Sequence, residues 1–314
     1  MESSRARRRR RPLPYTALAF AVILGGAAAG TVYLQTQAHS GGGAVSSAVA
    51  PSASVWARAG GEASVEPVAQ PTVDHDVLLA EAMEQVAVED GAEVSVAVLD
   101  LESGASALYG DGGFDTASIV KVDILAALLL QAQDAGRELT ATEKSYAVDM
   151  IENSDNTAAS ALWRAIGKAE GLDAANERLG LTDTEGGDGM YWGLTQTTAA
   201  DQLTLLRQVF GEDSELSGRS RAYLLELMGE IAVDQRWGVS AAADGSAWAL
   251  KNGWLPRTAT GLWDINSIGR VTVDGHDCLV AVLSDGNSTK AKGISLVEAA
   301  AVAAVSVFAG EGLA

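Results

Sequence analysis

The chain has 314 residues, 47% of them hydrophobic, enough to bury one sizeable core or two modest ones. Its single cysteine, Cys278, excludes a disulfide-stapled mini-domain, and His39, His75 and His276 share no metal-ligand spacing, so neither a metal centre nor a cofactor is expected. The net charge of −19 hides a basic start: six arginines and one glutamate in residues 1–40 leave −24 for residues 41–314, an acidic body that repels phosphates and excludes nucleic acid as a partner.

Arg5 and the block Arg7 to Arg11 precede an uncharged stretch from Tyr15 to Leu34. Twenty residues at about 1.5 Å each span roughly 30 Å, the thickness of a bilayer's hydrocarbon core. Two readings fit residues 1–38: an uncleaved membrane anchor, favoured by the length of the run, or a long signal peptide with a cleavage site at Thr36-Gln37-Ala38. Paired arginines also allow a twin-arginine export signal, and the lack of a cysteine after the run removes a lipid-modified N-terminus. With arginines on the N-terminal side, the positive-inside rule places the rest of the chain outside the cell, held by the N-terminal helix or secreted. Residues 39–73, rich in Gly, Ala, Ser, Val and Pro without a sustained period, read as a flexible tether to a domain over 74–314.

From Asp74, the spacing of Val77, Leu78, Met83 and Val86 predicts a helix ending near Asp90-Gly91. Val94, Val96 and Val98 alternate as a strand, Glu102-Ser103-Gly104 turns, and Ala105 to Tyr109 returns. After Phe114-Asp115-Thr116-Ala117, a helix carrying Ser118 and Lys121 runs through the apolar stretch Val122 to Leu130, whose residues cover almost every direction and demand burial all round. Helices are predicted over Ala141–Glu152, from the loop Asn153-Ser154-Asp155-Asn156 to about Ile166, and over Leu172–Leu179. A Gly- and Asp-rich loop, Thr182–Leu194, embeds Met190, Tyr191 and Trp192; helices follow at Thr198–Phe210 and Gly218–Ile231. Strands at Trp248–Gly253, Trp263–Val273 and Cys278–Leu283, the last two joined at Asp274-Gly275, precede a terminal helix over Ile294–Phe308. Strands near both ends with helices between them predict an α+β, three-layer α/β/α fold: an antiparallel sheet covered by terminal helices, with an all-helical subdomain.

Three short motifs carry chemistry. At i+3, Lys121 rises about one turn above Ser118 on the same side, an amine within reach of a hydroxyl. A lysine among apolar groups loses pKa and can serve as the base a serine nucleophile needs. A structural role also fits, with Ser118 near an N-cap and Lys121 snorkelling or pairing with Asp123. Ser154-Asp155-Asn156 reads by itself as a helix cap, and Lys251-Asn252-Gly253 as a strand end.

In this order, with Thr116-Ala117-Ser118-Ile119-Val120-Lys121-Val122, Ser154-Asp155-Asn156-Thr157-Ala158-Ala159 and the helix start at Thr197-Thr198, the motifs resemble the serine β-lactamase and penicillin-binding superfamily, closest to class A β-lactamases. The resemblance covers about residues 74–312 and implies a β-lactamase/transpeptidase-like fold. It makes Ser118 the acylated nucleophile, Lys121 a proton carrier and Ser154 the donor to the leaving nitrogen. It makes Asn156 a holder of the substrate amide, Lys251 a positive charge for the substrate carboxylate, and Gly253-Trp254 the strand end whose Trp254 amide joins that of Ser118 in an oxyanion hole. The implied substrate is a β-lactam or a peptidoglycan-peptide-like amide.

Three departures qualify the resemblance. Only 36 residues separate Ser118 from Ser154, shorter than in class A enzymes, so one cleft wall is missing. Asn252 stands where the family has Thr or Ser, leaving an amide to reach the substrate carboxylate. Between Gly180 and Thr197 there is no Glu-x-x-Leu-Asn pattern to activate the deacylating water. The expectation is a serine hydrolase that acylates readily and deacylates slowly. The alternatives are a true class A β-lactamase using Glu185 or Asp188 as base, and an inactive cell-wall or protein-binding pseudoenzyme. Arg236 and Arg257 read as surface arginines, Arg270 as solvated, and Trp237, Trp248 and Trp263 as packing.

Overall fold

The computed structural model describes residues 73–308 apart from residue 246. The basic start, the apolar run and residues 39–72 of the tether lie outside the described residues. Among the described residues no helix is long and apolar enough to cross a membrane.

Five strands form one antiparallel sheet: β1 (Glu93–Asp100), β2 (Ser106–Tyr109), β5 (Trp248–Pro256), β6 (Trp263–Val273) and β7 (His276–Asn287), in the order β2-β1-β7-β6-β5. The alternation of strand side chains explains how one sheet serves two cores. Ala97 and Leu99 of β1, Leu279, Ala281 and Leu283 of β7, and Ile268 of β6 join the core that surrounds α2 (Val120–Asp134). Val96 and Val98, Val280 and Val282, and Ile265 and Val271 face the opposite way, into the core under α1 (His75–Met83) and α8 (Lys290–Ser306). Both faces are covered, so β1 and β7 are buried along nearly their whole length. This is the expected layered α+β architecture with terminal helices on one face.

The helical part comprises α3 (Ala141–Glu152), α4 (Asn156–Ile166), α5 (Lys168–Leu179), α6 (Ala199–Phe210) and α7 (Gly218–Gly229), packed about α2. Twelve of the fifteen residues of α2 are buried, as its all-round apolar pattern requires. Thr140 opens α3 with a reciprocal capping box to Glu143, satisfying two amides that would otherwise lack partners.

Several boundaries depart from the sequence reading. The first helix stops at Met83, because only Leu79 and Met83 of it find core, while Val88 is left exposed in the turn leading to β1. α5 begins at Lys168: Gly167 ends α4 in the left-handed region (φ 99°), and the next helix starts at once. α8 starts at Lys290, where the Thr289 side chain accepts a bond from the Lys292 amide. Two two-residue strands, β3 (Phe114–Asp115) and β4 (Gln196–Thr197), have no counterpart in the sequence reading; they pair with each other and flank the segment that bears Ser118.

Candidate active site

Ser118 lies in a 3-10 turn, Ala117–Ile119, between β3 and α2, rather than in the first turn of one continuous helix. Ala117 holds φ 49°, a conformation that L-residues rarely adopt, so the turn must be fixed by its surroundings. Asn266, on β6, donates to the carbonyls of Asp115 (2.9 Å) and Thr116 (3.1 Å), and the Thr116 amide donates to Thr195 O (2.9 Å). From the other side β5 presses so close that a Cβ on Gly253 would stand 2.7 Å from Thr116 O and 2.8 Å from Ser118 N. Only glycine allows that approach. Below the turn, Arg257 is ion-paired with Asp115 and, at 2.6 Å, with Asp264, while Gln196 donates to Asp115. Arg257 is therefore a clamp between sheet and turn rather than a free surface charge. Burial pushes the Asp264 carboxyl up to about 6, with Arg257 pulling it back.

Lys121 is fully buried, with its Nζ at hydrogen-bond distance from Ser118 Oγ (3.0 Å), Ser154 O (2.7 Å), Ser154 Oγ (3.0 Å) and Asn156 Oδ1 (2.9 Å). It does not pair with Asp123, which sits two residues on and so points away around the helix, toward Gln202. Burial lowers the Lys121 pKa to about 7, and the charge of Asp155 opposes this fall. A neutral amine suits these neighbours: two N–H groups serve Ser154 O and Asn156 Oδ1, and the lone pair is free for a hydroxyl proton. The Trp192 ring centre lies 5.0 Å from the same nitrogen.

Ser154 itself holds φ 55°, just before Asp155, whose carboxylate caps α4 through the Ala158 amide (2.7 Å). The cap reading of this motif is thus right for Asp155, and the same turn delivers Ser154 and Asn156 to Lys121. On the far side of Ser154, the buried Lys251 donates to Ser154 Oγ (3.1 Å), Gln235 Oε1 (3.4 Å) and Asn252 O (3.2 Å). Burial, then the nearby Lys121, holds its pKa well below the ordinary 10.5. Ser154 is therefore bracketed by two lysines of weakened charge.

Asn252 departs from expectation. Strand alternation sends its side chain to the face opposite Lys251, where it is fully buried and donates both amide hydrogens, to Gln235 O (2.7 Å) and Trp237 O (2.9 Å). It has no hydrogen left for a substrate. Trp254, on the same face, packs against Trp237 with ring centres 6.1 Å apart and planes tilted by 53°, and carries Lys290 3.7 Å over its ring.

Above Ser118 opens a cleft of about 480 Å³, lined by Ala117, Ser118, Asn156, Ser160, Met190, Tyr191, Trp192, Gly193, Leu194, Trp254 and Leu255. No carboxylate is among these residues. Glu185 is exposed and spends its backbone on a bridge to Gln196, and Asp188 is also exposed. The place beside the serine and lysine is instead occupied by Trp192, whose indole N–H donates to Ser160 Oγ (3.2 Å). Gln235, Asn266, Ser160 and Trp192 carry no local sequence signal of these contacts; each acts across a long sequence separation.

The sequence matches the profile of the "Beta-lactamase enzyme family" over residues 130–308, a span that includes Ser154 and Lys251 but begins after Ser118 and Lys121. Curated relatives named "Putative lipoprotein LppW", from Mycobacterium tuberculosis and Mycobacterium bovis, are 29% identical over 174 residues, covering 52% of this chain and 55% of theirs. The chain thus spans about half the length of the curated relatives it matches. Among solved structures, a point mutant of PBP-A, an acyl-enzyme complex with penicillin G, superposes with TM-score 0.63 at 23% identity, over 76% of this chain and 97% of that one. The TLA-1 extended-spectrum β-lactamase superposes with TM-score 0.64 at 17% identity, over 74% and 98%. A class A β-lactamase representative from Bacteroides cellulosilyticus gives 0.63 at 15%, over 74% and 98%. These structural likenesses establish the common fold.

Proposed function

The chain belongs to the beta-lactamase enzyme family, and from that premise we propose that it is an extracytoplasmic serine hydrolase that works through an acyl-enzyme on Ser118, on a β-lactam or peptidoglycan-peptide-like amide. The observation that carries this reading is the contact of one buried amine with two hydroxyls, Lys121 Nζ lying 3.0 Å from both Ser118 Oγ and Ser154 Oγ. Neutral Lys121 takes the Ser118 proton as Oγ attacks the carbonyl carbon. The proton passes to Ser154 and from its hydroxyl to the leaving nitrogen, while Lys251, 3.1 Å from Ser154 Oγ, orients that hydroxyl. Asn156 orients the substrate amide, and the Ser118 and Trp254 amides receive the developing oxyanion, donors worth about 3–4 kcal/mol each in such chemistry.

Deacylation is slow in this reading, because no carboxylate lines the cleft to activate water. The basic, apolar N-terminus supports membrane attachment or export, and relatives named as lipoproteins agree with a place outside the cytoplasm. Intact-protein mass spectrometry of the full-length chain after exposure to a penicillin, followed over time beside Ser118→Ala, tests the proposal. A lasting adduct on wild type and none on the variant is expected. Neither adduct nor loss of penicillin, with the fold intact, would rule the proposal out.

A further inference from the structure

The part of a substrate that stays on Ser118 must be seated in the cleft, and α4 gives that part a direction. Asn156 accepts from the Lys121 amine through Oδ1 (2.9 Å), which leaves its two Nδ2 hydrogens as donors for the carbonyl of a substrate amide. Ser160 also lines the cleft, four residues on, on the same side of the helix and about 6 Å further along it. Its Oγ accepts from the Trp192 indole (3.2 Å). A group attached beyond the amide therefore runs away from Ser154, the donor to the leaving nitrogen, and meets the loop that carries Tyr191.

That loop is pinned, and it leaves one ring bare. The Tyr191 amide donates to Asp188 O (2.9 Å), and the Tyr191 carbonyl accepts from the Leu194 amide (2.8 Å) and lies so close to Gly187 that a Cβ there would run into it. The Trp163 indole donates to Gly189 O (2.9 Å) and the Gly186 amide to Asp173 Oδ1 (2.8 Å), fixing the loop to α4 and α5. With its backbone turned inward Tyr191 is still 68% exposed, so the exposed surface is its ring; Tyr146, the other exposed aromatic among the described residues, stands at 36%. A single apolar side chain on a convex surface is ordinary. Tyr191 instead borders a concave cleft beside Met190 and the 39% exposed Leu194, an uncharged patch of the kind that ligands cover.

We infer that Tyr191 sets the acyl-group specificity of this cleft, its ring stacking on an aromatic group carried beyond the substrate amide, with Met190 and Leu194 beside it. The inference rests on the acyl-enzyme reading above and narrows its substrate class. A small acyl side chain leaves the ring in water, whereas an aromatic one covers it in an offset-stacked or edge-to-face pair, a gain beyond the area buried. Because the loop is already ordered, little entropy is lost when the ring is covered.

The test compares two penicillins that differ only in the acyl side chain, benzylpenicillin with its phenylacetyl group and the acetyl counterpart, as acylating agents of the full-length chain. The second-order rate of Ser118 labelling is read by intact mass. Both compounds carry the same carboxylate and the same ring system, so the rate ratio reports the side chain alone. In wild type the phenylacetyl compound should label about tenfold faster, in Tyr191→Ala the ratio should fall to within about twofold of one, and Tyr191→Phe should retain it. Equal rates in wild type, or a preference unchanged in Tyr191→Ala, overturn the inference and leave the acyl-enzyme reading standing. A ratio lost in Tyr191→Phe as well would assign the selection to the hydroxyl and overturn stacking, and loss of all labelling in a natively folded Tyr191→Ala would show a role in acylation at large rather than in specificity. Labelling of wild type by neither compound removes the acyl-enzyme reading and this inference with it.

Discussion

If Lys121 is the base for Ser118, acylation must follow the titration of its amine. The nitrogen has an ordinary pKa of 10.5, lowered to about 7 by burial. At pH 7 an ordinary lysine keeps roughly one amine in three thousand neutral, and Lys121 about half, a gain of about a thousandfold in usable base. The acylation rate should therefore rise about tenfold per pH unit up to near neutrality and level off above it. Asp155 sharpens the test, since its negative charge favours the ammonium and raises the Lys121 pKa. In Asp155→Asn that support is gone, so the midpoint moves to lower pH and acylation at pH 6 becomes faster. The cap on α4 survives the change, because an asparagine oxygen accepts from the Ala158 amide as the carboxylate does. The assay is the rate of adduct formation on Ser118 from pH 5 to 9, with a substrate that does not titrate in that range. A flat profile, or a midpoint that moves upward in Asp155→Asn, would refute the assignment.

Three further outcomes are expected. Asp123 is wholly buried and keeps its proton up to about 7 in the fold against an ordinary 3.8, so unfolding releases a proton between these values and stability falls as pH climbs through that window. Asp123→Asn should match wild type near pH 4 and gain up to roughly 4 kcal/mol at pH 8, read from denaturant melts; equal stability at both pH values would contradict the buried acid. Trp192→Glu places a carboxylate beside Ser118 and Lys121, and the acyl-enzyme lifetime, followed by mass, should shorten by at least about tenfold, an unchanged lifetime counting against the missing carboxylate as the cause of slow deacylation. Gly253→Ala drives a methyl to within 2.8 Å of Ser118 N and 2.7 Å of Thr116 O, backbone atoms that cannot rotate aside. Labelling of Ser118 should be lost while circular dichroism stays native, and retained labelling would show that the strand can back away.

Much of this fold is readable because its patterns are strong. The all-round apolar surface of Val120–Asp134 demands burial, and the alternating valines of Glu93–Asp100 suit a strand between two cores. Boundaries escape the sequence where packing decides them: Val86 has helical spacing, yet it meets the core from the turn that follows Met83 rather than from a further turn of helix. The two-residue strands Phe114–Asp115 and Gln196–Thr197 are too short to leave a period. At the site, the spacing of Ser118 and Lys121 and the turn at Ser154 are legible. The partners of Asn252 are not, although strand alternation alone sends consecutive residues Lys251 and Asn252 to opposite faces. Trp192 reads as one aromatic of a loop; its position beside Lys121, in a different element and 71 residues away, is a fact of tertiary structure.

The pairing of β1 with β7 has a consequence for how the molecule comes into being. Its ladder joins Glu93 to Asp285 and Asp100 to Cys278, so the two strands are 192 and 178 residues apart along the chain. A growing polypeptide therefore exposes Ser118, Lys121 and Ser154 long before the segment bearing Lys251 and Gly253 has been made. Closing so large a loop is slow relative to forming the local helices. Ser118 stays without Lys251 nearby until the last strands arrive, and synthesis is nearly over before the cluster of Ser118, Lys121, Ser154 and Lys251 is complete.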